Sequence, residues 1–313
     1  MRRFLARLAL FAALQAGLGL VLLARYHTER TSYMAATLDK HRRLEEAPGA
    51  RLVLIGGSNL AFGIDSERLA SAFGRSAVNM GLHMDLGLPF LLQETAGGIH
   101  AGDAVVFSGE YQLYGPQPLT TVFHAVEQRP GNVAFVPVSY LPNLLDRAFV
   151  YLATLVRNAL WPVPLPRNAD VYRRNGFTRN GDHRAHYGVR RPEGASLHVY
   201  LAPLDRRVAE PRAEQLNRFA RQCRGLGGPV YFAYPAVPSA VLNEYPHEVQ
   251  ELDRFLRETL EFPLINRPEE AMLPEESFFD SGYHLTEAGV RQRTNLLIAA
   301  LAAHGLRQPE ASR

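Results

Sequence analysis

Three short segments carry the residue types that nucleophilic catalysis needs. The first is Ile55-Gly56-Gly57-Ser58-Asn59-Leu60-Ala61-Phe62-Gly63. A Ser on a tight strand-to-helix turn projects its hydroxyl at the carboxyl edge of a sheet, where ligands bind in open α/β folds. Glycines beside it let a backbone approach a substrate, and helix-start N–H groups favour a developing anion. The second is Asn79-Met80-Gly81, whose Gly N–H can aim at the same point and complete a pair of oxyanion donors. The third is Phe278-Phe279-Asp280-Ser281-Gly282-Tyr283-His284-Leu285. A Ser nucleophile needs a base, usually His, held in one tautomer by a carboxylate, and His284 with Asp280 supplies both types. Each segment alone has a plainer reading. The first is also a glycine turn with a capping Ser or a nucleotide loop, although it lacks the full G-x-G-x-x-G spacing and a Walker lysine. The second is also a turn, and the third a loop His near an Asp.

Hydrophobic patterning supplies elements that would bring the three together. Arg51–Ile55 reads as a buried strand, with a helix starting at Asp65, a good N-cap followed by Arg68, Leu69, Ala72 and Phe73. Residues 77–80 and 104–107 read as two further strands, with a helix over 88–99 between them. Residues 229–236 form another strand between helices at about 209–225 and 247–260, and a last helix runs from Thr286 to about His304. Strands alternating with helices predict an α/β fold, a three-layer α/β/α arrangement around a mostly parallel sheet.

Residues 112–196 break this rhythm and read as an insertion covering the cleft. They hold an apolar helix over 143–161, a Pro-rich stretch at 161–166, and a polar segment from Arg173 to Tyr187. The Asn-Gly pairs at 175–176 and 180–181 signal turns. The segment reads first as a solvated, Arg-rich hairpin. Its sharper alternatives put Asp182, His183 and His186 against an acceptor and Arg173, Arg174 and Arg179 against an anionic glycan. Metal-ligand spacing is absent from this trio, and neither a metal nor a cofactor is expected.

The first thirty residues differ from the rest. After Arg2, Arg3 and Arg7, seventeen uncharged residues run from Leu8 to Ala24, closed by Arg25. That length lies at the short end of the ~17–25 residues needed to span a bilayer. A cleaved signal is the rival, but cleavage after Ala24 would put Leu22 at the −3 position. Residues 1–30 are therefore read as an anchor, 31–49 as a polar helical tether, 50–306 as one domain and 307–313 as a tail. Arg and Lys on both sides of the run leave orientation undecided by local charge. Across 313 residues, 34 basic and 31 acidic side chains give a net charge of only +3, so no nucleic-acid partner is expected. A single Cys, Cys223, excludes a disulfide framework, and 47% hydrophobic content excludes disorder as the main state.

The chain order Ser, Gly, then Asp and His before a closing helix resembles the SGNH (GDSL-type) hydrolase superfamily, over residues 50–111 and 197–306. Gly57-Ser58, Gly81 and His284 match its blocks by position. The sequence departs in three places. Gly-Ser-Asn replaces Gly-Asp-Ser, Asp280 stands four residues before His284 instead of three, and Ser108-Gly109-Glu110-Tyr111 stands where the family places an oxyanion Asn. The resemblance implies a doubly wound, flavodoxin-like sheet, with Ser58 as nucleophile, His284 as base and Asp280 as its orienting acid, backed by Glu275 and Glu276. Gly81 would serve the oxyanion. An ionised Glu cannot donate a hydrogen bond, so Asn59 becomes the substitute donor and Glu110 a holder of a substrate hydroxyl. An N-terminal anchor before such a body resembles the branch that includes the D-alanyl transfer protein of lipoteichoic-acid synthesis. It also resembles SGNH proteins that work with membrane-bound O-acyltransferases. That implies a serine acyl-ester hydrolase or O-acyltransferase acting on a cell-envelope or exported polysaccharide. The body would lie on the extracytoplasmic (periplasmic) side of the inner membrane. The competing expectation is a catalytically degenerate SGNH-fold subunit serving as a structural partner in a glycan-modifying complex.

Overall fold

A computed structural model of the chain describes residues 2–7, 10, 11, 13–15, 17, 30–117, 119–160 and 171–307. The apolar run expected to form the anchor, Leu8 to Ala24, falls largely outside the described residues. Among those described, no helix is long and apolar enough to cross a membrane.

Four parallel strands form the centre: β1 (Arg51–Ile55), β2 (Ser76–Asn79), β3 (Ala104–Phe107) and β4 (Val230–Phe232), in the order β2-β1-β3-β4. Leu264 adds a single parallel bridge beside Phe232 at the β4 edge. A short parallel pair, β5 (Val237–Pro238) with β6 (Met272–Leu273), lies apart from this sheet. Strand β1 is buried along its whole length, as expected of a parallel strand covered on both faces. Its side chains divide by the two-residue period. Leu52 and Leu54 join one apolar cluster, and Val53 and Ile55 join the other.

The ten helices described here are numbered in chain order. They are α1 (Ala36–Glu46), α2 (Ser58–Ala61), α3 (Ser66–Phe73), α4 (Leu88–Ala96), α5 (Val122–Gln128), α6 (Leu141–Leu160), α7 (Arg206–Gly225), α8 (Ala240–Glu244), α9 (Pro246–Thr259) and α10 (Glu287–Ala303). Leu69 and Phe73 of α3 with Leu297 and Leu301 of α10 cover the first face. Leu44 of α1, Leu91 of α4, Leu216 of α7 and Phe255 of α9 cover the second. The α/β class with a parallel sheet and helices on both sides is thus as the sequence predicts. The expected cap is present, Asp65 accepting from the Arg68 N–H at 3.1 Å, and Thr286 caps the last helix by accepting from the Gly289 N–H at 3.3 Å.

Two expected parts are corrected. Residues 31–49 are no loose tether, because α1 packs on the sheet with Ala36, Thr37, Lys40, His41 and Leu44 buried. Lys40, the only Lys, donates to the carbonyls of Asn79 (2.8 Å) and Gly181 (2.7 Å) and lies 4.8 Å from the Phe177 ring centroid. It thereby ties α1 to the end of β2 and to the insertion. The segment from Arg173 to Tyr187 is not a solvated hairpin either. It returns to the carboxyl edge of the sheet, where the Asn79 N–H donates to the Asn180 carbonyl and the His183 N–H to the Ala61 carbonyl.

Candidate active site

The strand order reverses between β1 and β3, so the loops leaving these strands diverge and open a crevice at their carboxyl ends. Ser58 opens α2 on the β1 side, half-buried, and Glu110 follows β3 on the other. Gly56 and Gly57 allow the two loops to touch. A Cβ at Gly56 would strike the Ser108 carbonyl, and one at Gly57 the Glu110 carboxylate. Glu110, fully buried, accepts from the N–H groups of Gly57 (3.1 Å) and Asn59 (2.9 Å). It therefore braces the Ser58 turn from within, each carboxylate oxygen taking one backbone N–H, at the position where the sequence reading has it hold a substrate hydroxyl.

Asn59 also points inward. Its Nδ2 donates to the Ser108 carbonyl at 2.9 Å, and its Oδ1 accepts from Arg293 at 2.8 Å. The side chain expected to replace the missing oxyanion donor is spent on holding the turn. Gly81 sits where expected, so close to α2 that a Cβ there would lie 2.6 Å from that of Leu60. Its N–H, however, donates to the Asn79 Oδ1 at 2.9 Å. The N–H groups of Gly57, Asn59 and Gly81 are all taken by side chains, and Ser58, between the first two, keeps its N–H off Glu110.

The acid–base half is assembled from two distant segments. His284 Nδ1 lies 2.8 Å from Asp280 Oδ1, so the extra residue in the spacing does not separate them. Tyr172, from the insertion, donates its hydroxyl to the other oxygen of Asp280 and stands 3.2 Å from His284 Nδ1. This network assigns the proton to Nδ1 and leaves Nε2 as the basic atom. Burial alone would raise the Asp280 carboxyl, but its bonds to His284 and Tyr172 outweigh burial and hold it below the usual range. Burial, followed by the bond to Asp280, pushes the Tyr172 hydroxyl far above its ordinary value. His284 stacks on Phe62 with ring centroids 4.0 Å apart and planes 15° from parallel. Phe62 is the residue after α2, its N–H bonded to the Ser58 carbonyl at 2.9 Å, and the Leu285 N–H reaches the Phe62 carbonyl at 3.3 Å. Ser58 and His284 share no hydrogen bond in this structure, and one aromatic residue couples their segments.

Sequence reasoning missed two residues here. Tyr172 lies 108 positions from Asp280, and nothing local marks it. His83 follows Gly81 by two residues, half-buried, and accepts from the Asp85 N–H at Nδ1 (3.1 Å). Burial lowers its pKa, with Asp85 and Glu110 opposing and His284 assisting. A neutral His83 with Nδ1 as acceptor carries its proton on Nε2, which makes it a donor two residues beyond Gly81. The H-x-D spacing after Gly81 was the available signal.

Asp182, His183 and His186 do not face an acceptor. All three are buried, at 1%, 1% and 2% exposure. Asp182 accepts from the Ser66 N–H (2.8 Å), the Ser66 hydroxyl (2.5 Å) and Asn79 Nδ2 (2.9 Å), which turns it away from the two histidines. His183 stacks on the face of Phe62 at 4.4 Å, and His186 reaches the Leu285 carbonyl through Nε2 at 2.8 Å. Arg174 is occupied with Asp39 at 2.6 Å. No protein-family model and no curated protein sequence matches this chain.

Proposed function

We propose that the chain is a membrane-anchored, SGNH-like serine acyl-ester hydrolase or O-acyltransferase acting on a cell-envelope or exported polysaccharide. The observation that carries this reading is the Tyr172–Asp280–His284 relay, stacked through Phe62 against the helix that Ser58 opens. Such a relay fixes one imidazole tautomer, as acyl transfer to Ser requires of its base.

In this mechanism Ser58 Oγ attacks the acyl carbonyl while its proton passes to His284 Nε2. The tetrahedral oxyanion is met by the Ser58 N–H and by His83 Nε2–H, each such donor contributing ~3 kcal/mol to the transition state. Breakdown expels the leaving alkoxide, which takes the proton from His284, and leaves acyl-Ser58. Water or a sugar hydroxyl then attacks, giving its proton to His284, and Ser58 recovers a proton as the ester breaks. Asp280 stays ionised throughout. The acceptor decides between esterase and transferase. The anchor would hold the body at the inner membrane on its extracytoplasmic side, beside a membrane-bound O-acyltransferase as partner.

Full-length protein in detergent, treated with a fluorophosphonate probe, tests the reading. Labelling should vanish in Ser58→Ala and fall by about 10³-fold or more in His284→Ala. Equal labelling of wild type and Ser58→Ala would overturn it. A second reading, a non-catalytic subunit of a glycan-modifying complex, draws on one observation: the Gly81 N–H and the Asn59 amide are already occupied. It expects no Ser58 labelling, and glycan acylation that survives Ser58→Ala.

A further inference from the structure

Helix α6 is apolar on two opposite sides. Its inner side packs on the body: Leu144 is buried, and Tyr151 bonds Glu127 and lies 5.2 Å from the Phe123 ring of α5. Its outer side carries Leu145 and Phe149, 71% and 72% exposed, with Val156 also exposed. Positions 145, 149 and 156 share one helix face, and Val138, in the turn before α6, is exposed as well. An apolar stripe of this kind, left exposed among the described residues, marks an interaction surface.

The position of the stripe identifies what covers it. The chain enters the body at Ser32, which forms a bridge with Arg173, and Tyr33 bonds the Leu82 carbonyl at 2.7 Å. The turn at Tyr33–Ala35 packs against α5, and α5 against α6. Arg25, which closes the apolar N-terminal run, lies only seven residues before Ser32. Seven residues reach at most ~25 Å when fully extended, so an anchored chain cannot hold this side of the body far from the bilayer. The exposed charges Asp146 and Arg157 stand about a quarter turn round the helix from the stripe, as on a helix lying in the interface plane.

We infer that α6 is an interfacial helix, its outer face seated in the lipid headgroup–acyl boundary and its inner face fixed to the domain. This inference rests on the anchor in the function proposed above. It keeps the body at the membrane surface, where a lipid-linked or membrane-delivered acyl donor would arrive.

Full-length protein in vesicles of phosphatidylethanolamine and phosphatidylglycerol tests it, with an environment-sensitive fluorophore on single introduced cysteines. Burial pushes the native Cys223 thiol up to about 12, so it stays unlabelled at neutral pH. Probes at Leu145→Cys and Phe149→Cys should shift to the blue, lose intensity with nitroxide-bearing lipids and resist aqueous iodide. A probe at the exposed Arg218→Cys on α7 should respond to iodide alone. Val156→Cys gives a further probe on the same face if either substitution disturbs folding. Quenching at 145 and 149 by iodide alone would overturn the inference. Shielding from both quenchers would also overturn it, because a protein partner or a second copy would then cover the stripe. A probe at Leu14→Cys reports the anchor separately, and iodide access there would remove the anchor reading itself.

Discussion

The two ends of the insertion invert the usual relation between composition and burial. Residues 173–187 are rich in Arg, Asn, His and Asp, yet Asp182, His183 and His186 lie in the interior. Helix α6 is rich in Leu, Phe and Val, yet Leu145 and Phe149 are more than two-thirds exposed. The polar segment can be buried because its key groups meet partners: the Asp182 carboxylate takes three hydrogen bonds, and each backbone return lands on a strand or helix end. The apolar helix stays outside because the domain has already covered both faces of its sheet. Burial follows available partners as much as hydropathy. Asp182→Ala should break the first half of this comparison. It leaves the Ser66 hydroxyl and the Ser66 N–H buried without an acceptor and takes one of two acceptors from the Asn79 amide, costing about 3–5 kcal/mol in urea unfolding. Leu145→Gln and Phe149→Gln, by contrast, should stay within about 0.5 kcal/mol of wild type. Comparable losses at all three positions would dissolve the distinction.

The same buried segment should govern acid sensitivity. Burial first, and for His183 the neighbouring His186 next, lower the two imidazoles to about 3 and about 4 respectively. Both are neutral in the folded protein, whereas in the unfolded chain they take up protons near pH 6.5. The unfolded state therefore binds more protons below that value. Stability falls as the pH drops from about 6.5 towards 4, at up to ~1.4 kcal/mol per pH unit for each histidine. Lys40 acts in a separate window. Burial brings it down to about 7 despite the pull of Asp182, so stability rises between about 7 and 10.5 while only the unfolded chain keeps that proton. Urea midpoints measured from pH 4 to 10 should show both slopes. His186→Gln, which can still donate to the Leu285 carbonyl, should roughly halve the acid slope and leave the alkaline one intact. An unchanged acid slope would show that the histidine pair is not its source.

What the sequence made legible was local or periodic. The strands and helices follow from apolar spacing, and the cap at Asp65 from residues within one turn of it. His284 and Asp280 were found together because five residues of one loop hold both. What stayed hidden depends on which way a side chain turns once distant segments meet. Glu110 stands 53 positions from Gly57, and only the folded loops show its carboxylate passing under the nucleophile turn rather than into the crevice. Asn59 is turned inward by Arg293, 234 positions away. Residues 31–49 looked like a tether because the carbonyls that receive Lys40 lie at the end of β2 and in the insertion, elsewhere in the chain.

Tyr172 gives the smallest expected effect and the sharpest view of what the insertion adds to the relay. Its ring packs 5.6 Å from Phe62 and 5.8 Å from Tyr33, and Tyr172→Phe preserves those contacts while removing only the hydroxyl. The Asp280–His284 bond at 2.8 Å remains, so the imidazole keeps its tautomer. What is lost is one hydrogen bond to a carboxylate, worth about 1.5 kcal/mol near the lower end for charged partners. That corresponds to about a tenfold fall in Ser58-dependent turnover. The loss should appear in kcat rather than KM, because Tyr172 touches Asp280 and not the substrate in the proposed mechanism. Without that bond the Asp280 carboxyl rises towards its ordinary range, so the acid limb of the rate profile should move to higher pH. A Tyr172→Phe enzyme with wild-type kcat and an unmoved acid limb would reduce Tyr172 to packing and return the relay to Asp280 and His284 alone.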